Sequence, residues 1–87
     1  MRILDHNEFI IVQKKAHRGG TVLNPEDLTV EYKVLFPRIT LCIIHDIALG
    51  MNYYGATMRS KHDKDNPLVG YSIAFVRAIN DIIAELQ

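Results

Sequence analysis

The chain has a single cysteine, no net charge and no long apolar run, and each shortage removes a class of protein. A lone Cys42 cannot close a disulfide within the chain, and its apolar neighbours suit a reducing compartment. Ten Lys and Arg balance ten Asp and Glu. Bulk electrostatics therefore give no argument for duplex nucleic acid or an acidic membrane as the main partner, and neither is expected. No apolar run exceeds four residues, whereas a membrane-spanning helix needs about 20. Glycines number five and prolines three, too few for a disordered composition. The opening residues Met-Arg-Ile-Leu-Asp-His-Asn-Glu place acids where a secretory leader has its apolar core. The expected location is the cytoplasm, away from membranes.

What is present is the composition of a globular protein, 48% apolar and 23% charged over 87 residues. That makes one small domain, 1–87, near the size at which burying enough surface becomes hard. Residues 8 to 16, Glu-Phe-Ile-Ile-Val-Gln-Lys-Lys-Ala, hold four consecutive apolar residues and read as a strand. Gly19-Gly20 then marks a turn, and Thr21-Val22-Leu23 a short returning strand.

Asn24-Pro25-Glu26-Asp27 carries an N-cap residue, a proline tolerated at the first helical position and two acids facing the helix dipole. It predicts a helix from Pro25 to about Phe36, ended by Pro37. The stretch Leu28-Thr-Val-Glu-Tyr-Lys-Val34 alternates apolar and polar, which is the period of a strand. The capping signal has a mechanism, and the helix is preferred.

From 38 to about 60 the apolar residues Ile39, Ile43, Ile47, Met51, Tyr54 and Met58 step by three or four, predicting a second helix with a possible break between Gly50 and Gly55. Leu41, Cys42, Ile44, Ala48 and Leu49 spread apolar surface past that stripe, so this helix needs cover from several sides. A charged loop, 59–66, leads to a last helix from Pro67 to about Leu86. Its stripe is Leu68, Tyr71, Phe75, Ala78, Ile79, Ile82 and Leu86. The expected fold is predominantly α, a small α+β protein with a short N-terminal β segment and the last two helices antiparallel.

No constellation announces catalysis. Cys42, His45 and Asp46 stand one helical turn apart, but no orienting group or oxyanion donor accompanies them. Scattered His6, His17 and His62 make no zinc spacing, so no metal and no cofactor are expected. Arg77, Asp81 and Glu85 read as a solvated ladder on a helix face. Tyr53 and Tyr54 precede the loop cations, an arrangement able to stack a base; the plainer reading puts Tyr54 in the core and Tyr53 at a rim.

Two candidate sites follow. Lys14, Lys15, His17, Arg18, Gly19 and Gly20 form a basic run into a diglycine, able to hold a small anionic, nucleotide-like ligand. The glycine–lysine order is not that of a P-loop. Leu41, Ile44, Ala48 and Leu49 form an apolar flank that the final helix leaves bare, and they are the expected interface of a homo-oligomer. The expected function is a non-enzymatic binding or regulatory protein working through protein–protein contact, with anion binding as the alternative.

Overall fold

The computed structural model describes residues 1–35, 38–58 and 67–86. Its order begins with a two-residue strand β1 (Arg2–Ile3) and a helix α1 (His6–Gly19). A single 3-10 turn (Pro25–Asp27) leads into three strands, β2 (Leu28–Leu35), β3 (Ile39–Asp46) and β4 (Met51–Met58), and a long helix α2 (Pro67–Leu86) closes the chain. The strands form one antiparallel sheet in the order β1-β2-β3-β4. Both helices contribute to one core on one face of it: Val12 of α1 and Ala74, Phe75, Ala78, Ile79 and Ile82 of α2 pack with Leu28, Val30, Cys42, Ile44 and Tyr53.

This is a small α+β fold, not a predominantly helical one. Residues 8–16 are helical because of what stands before them. Asp5 is the N-cap, its Oδ1 accepting from the Glu8 N–H at 2.8 Å, while Glu8 Oε1 accepts from the Asp5 N–H at 2.9 Å. This reciprocal capping box satisfies two donors that a helix start otherwise leaves bare. Leu4 and Phe9 occupy the two hydrophobic-staple positions around it. Glu8, Val12 and Ala16, four apart, are the buried face.

The Asn-Pro signal at 24–25 opens only the 3-10 turn, and the Asn24 side chain makes no capping bond. The alternation that follows it decides: Leu28 and Val30 are buried, Thr29 and Glu31 only partly. Thr21-Val22-Leu23 has no regular structure.

The stretch 38–58 is a hairpin rather than a helix. Asp46 Oδ1 accepts from the Ala48 and Leu49 N–H groups at 2.9 and 3.2 Å, and the Gly50 N–H donates to the Asp46 carbonyl at 2.8 Å. Gly50 then takes a φ of 66°, which glycine reaches without strain. The four-residue turn sets Asp46 opposite Met51 and Ile39 opposite Met58. Thr40, Cys42, Ile44 and Asp46 face the helices. The predicted stripe Ile39, Ile43, Ile47, Met51 therefore is not what α2 covers. Its Ile39 and Ile43 lie on the other face of the sheet.

The last helix matches its expected bounds, although its antiparallel neighbour is not a helix. It sits directly on β4 at Gly55: a Cβ there would lie 2.2 Å from the Ala74 carbonyl oxygen and 2.3 Å from the Ala78 nitrogen. Two alanines against a glycine bring helix and strand backbones together. The charged loop 59–66 with its cations lies outside the described residues.

Candidate interaction surface

With both helices on one side, the other face of β2-β3-β4 is covered by no described element. Strand register arranges that face in rows across the three strands. Leu35, Ile39 and Met58 make the first row, Lys33, Leu41 and Ala56 the second. Glu31, Ile43 and Tyr54 make the third, and Thr29, His45 and Asn52 the last. The last row is polar, and His45 Nδ1 lies 2.7 Å from Asn52 Oδ1. The other three are apolar along β3 and largely along β4. Leu35 is 45% exposed, Tyr54 54% and Met58 68%. Ile39, Leu41 and Ile43 are half-buried by their neighbours on the pleated surface.

The sheet edge beside this face is not equally open. α2 lies over β4, and Arg77 Nη1 donates to the Ala56 carbonyl at 2.8 Å. A helix and a cation on an edge strand are the usual protection against strand-to-strand pairing. Arg77 thus serves β4 instead of the ladder expected with Asp81 and Glu85. On the β4 side the face, not the edge, is the unprotected surface.

The four expected interface residues separate. Leu41 lies at the centre of the open face, but Ile44 points inward and is fully buried in the core. Ala48 and Leu49 belong to the β3–β4 turn, where both are exposed. Tyr53 and Tyr54 exchange their expected places: Tyr53 is in the core and Tyr54 on the open face. A strand alternates its side chains, so Cys42 and His45 stand on opposite faces and cannot meet. Cys42 is fully buried, and burial, with Glu8 nearby, pushes its thiol up to about 12. Asp46 is buried, its Oδ1 accepting from the turn N–H groups.

The basic run falls on α1 and its end. Lys14, His17 and Arg18 are exposed, Lys15 is half-buried and Gly19 is the last helical residue. Gly20 is the left-handed C-cap at φ 66°, its N–H donating to the Ala16 and His17 carbonyls. Cations in this last turn complement the negative end of the helix dipole.

A further cluster escaped the sequence reading. Glu8, buried beneath β1, accepts from Arg2 Nη1 at 2.7 Å, from Arg2 Nη2 at 3.2 Å and from the Tyr32 hydroxyl. Tyr32 in turn stacks on Tyr71 of α2, ring centroids 4.6 Å apart. Burial alone would raise the Glu8 carboxyl, but the Arg2 and Tyr32 hydrogen bonds and the Asp5 N–H outweigh it and hold the group below its ordinary value. Burial and Glu8 together raise the Tyr32 phenol. Every lone pair of Glu8 is engaged, so the cluster ties β1, α1, β2 and α2 together. The capping-box spacing Asp5-x-x-Glu8 was the signal in the sequence that leads to it.

Among the described residues no three His, Cys, Asp or Glu side chains gather into a metal-binding group. No described helix is long and apolar enough to cross a membrane. No protein-family model, curated protein or solved structure matches the chain.

Proposed function

We propose that this protein is a non-enzymatic binding protein that works by docking another protein surface on the open face of its sheet. The observation that carries the reading is the apolar central strand, Ile39, Leu41 and Ile43, flanked by Leu35, Tyr54 and Met58, on a face that no described element covers. Three strands about 4.8 Å apart and three rows about 6.6 Å apart outline roughly 300 Å². Seven of its nine positions are apolar, and the largest apolar patch on a monomer, about 300–600 Å², is often a binding surface. An antiparallel sheet with one solvated face normally alternates to polar residues there, and β3 does so only at His45.

The alternative, a small anionic ligand on Lys14, Lys15, His17, Arg18, Gly19 and Gly20, has weaker support. The run stands at a helix C-terminus, whose carbonyls repel anions, and the Gly20 N–H is engaged by the cap.

Site-specific photocrosslinking tests the docking reading. A photoreactive residue in place of Leu41 should give protein adducts, whereas one in place of the exposed Gln13 on α1 should give few. Equal adducts from both positions, or none from position 41, would sink the reading.

A further inference from the structure

Resting on that reading, we propose that the partner is a second copy of this chain, the two sheets stacked face to face about a two-fold axis perpendicular to the strands. The register of the open face points to this arrangement. Its two central rows are Lys33, Leu41, Ala56 and Glu31, Ile43, Tyr54. A two-fold axis lying between them, across the strands, brings each row against the other row of the copy. Lys33 then meets Glu31 of the second copy on both sides of the axis. Leu41 meets Ile43, and the small Ala56 receives the large Tyr54. Opposite charges, apolar pairs and a small–large pair are satisfied by one operation, as a self-complementary interface requires.

The competing two-fold, parallel to the strands, lays β2 over the copy's β4. That sets Glu31 and Lys33 against Tyr54 and Ala56, leaving charges against apolar surface without counter-charges. Among the described residues neither Glu31 nor Lys33 belongs to an ion pair, so both are free to pair across the interface. Stacked sheets cross at about −30° and stand about 10 Å apart. The same operation sets the outer row Leu35, Ile39 and Met58 against Thr29, His45 and Asn52 of the copy, so the two central rows carry the contact. A footprint of roughly 300–400 Å² is well below the ~800 Å² per partner of a standard stable interface, which makes the dimer reversible and weak.

Charge reversal tests it. Sedimentation equilibrium on the full chain, from about 10 µM to about 1 mM to match so small an interface, should show a monomer–dimer equilibrium. Glu31→Lys and Lys33→Glu, each placing like charges together twice per dimer, should each weaken association about tenfold or more. The double variant with both changes should restore it to within about threefold, because the pairing is merely exchanged. Melting curves of all four proteins should agree closely, since both side chains point away from the core.

A monomeric wild type throughout overturns the proposal, as does a double variant no better than the singles. A dimer indifferent to all three changes overturns the arrangement. Photocrosslinks from position 41 to a different protein, with none to this chain, would remove the second copy while leaving the docking reading in place.

Discussion

Replacing Gly55 by alanine should be among the most damaging single-methyl changes available in this chain. The new Cβ would meet α2 backbone at 2.2 and 2.3 Å, with the Ala78 Cα at 2.9 Å. Ordinary van der Waals contact needs about 3.5–4.0 Å, so helix and strand must separate by more than 1 Å. None of the three atoms belongs to a flexible side chain. Overpacking costs about 1–3 kcal/mol where side chains can yield, and here about 3 kcal/mol is the expected minimum. Alanine's better strand entropy returns only about 0.5–1 kcal/mol. The net loss of about 2 kcal/mol or more stands against a total of roughly 4–13 kcal/mol for a chain this size. At about 4–8 °C per kcal/mol, thermal unfolding followed by circular dichroism should fall by ~10 °C or more. Gly50→Ala is the control: nothing lies within 4 Å of its Cβ, so only the left-handed φ is strained, by about 1–2 kcal/mol. A Gly55→Ala melting temperature within about 2 °C of wild type, far inside the shift those packing costs imply, would mean that α2 does not rest on β4 there.

Three further outcomes follow from the packing. Glu8 has a depressed folded pKa, so its stabilisation is complete above its ordinary value of 4.5 and is lost as pH falls through the folded value. Melting temperature against pH should therefore drop on the acid side in wild type, and Glu8→Gln should start lower and show a shallower acid drop. Asp5→Ala should cost about 1 kcal/mol by chemical denaturation through loss of the cap, whereas Asn24→Ala, which removes no capping bond, should cost less than about 0.5 kcal/mol. The Cys42 thiol, fully buried and raised by burial to about 12, should resist a thiol-specific reagent at neutral pH until the protein is unfolded; rapid modification of the folded chain would contradict its place in the core.

The residues explain which elements were legible. In α2 a single apolar stripe runs the length of the segment, and only a helix gathers Phe75, Ile79 and Ile82 on one side. For α1 the run Phe9-Ile-Ile-Val12 suggested a strand, because four apolar residues in a row have no period. The decisive signal stands directly before it, in the Asp5–Glu8 box. At β2 both signals are visible, and the alternation is the stronger of the two. A proline after asparagine starts a 3-10 turn as readily as a helix, and it cannot impose helix on seven residues that alternate. The Asp5–Glu8 box points to Glu8, but Arg2 and Tyr32 meet it only because β1 returns beside β2. The expected interface was half legible for the same reason: Leu41 is on the open face, but without the sheet's alternation Ile44 could not be told from it.

The misreading of 38–58 has a physical cause that bears on function. Period-two reasoning works when one strand face is wet, since the wet side is then polar. In β3 both sides are apolar: Cys42 and Ile44 face the helices, while Ile39, Leu41 and Ile43 face away. Such a segment resembles a helix that is apolar all round. The core does not require those three outward residues, because α1 and α2 pack entirely on the other side. Strand propensity does not require them either, since threonine, valine or tyrosine would fit a pleated surface as well. Leaving them bare costs solubility and invites association. In the proposed dimer a copy of the same face would supply a second layer over Leu41 and Ile43, with the opposite charges of Glu31 and Lys33, two residues apart on the neighbouring strand, setting its register.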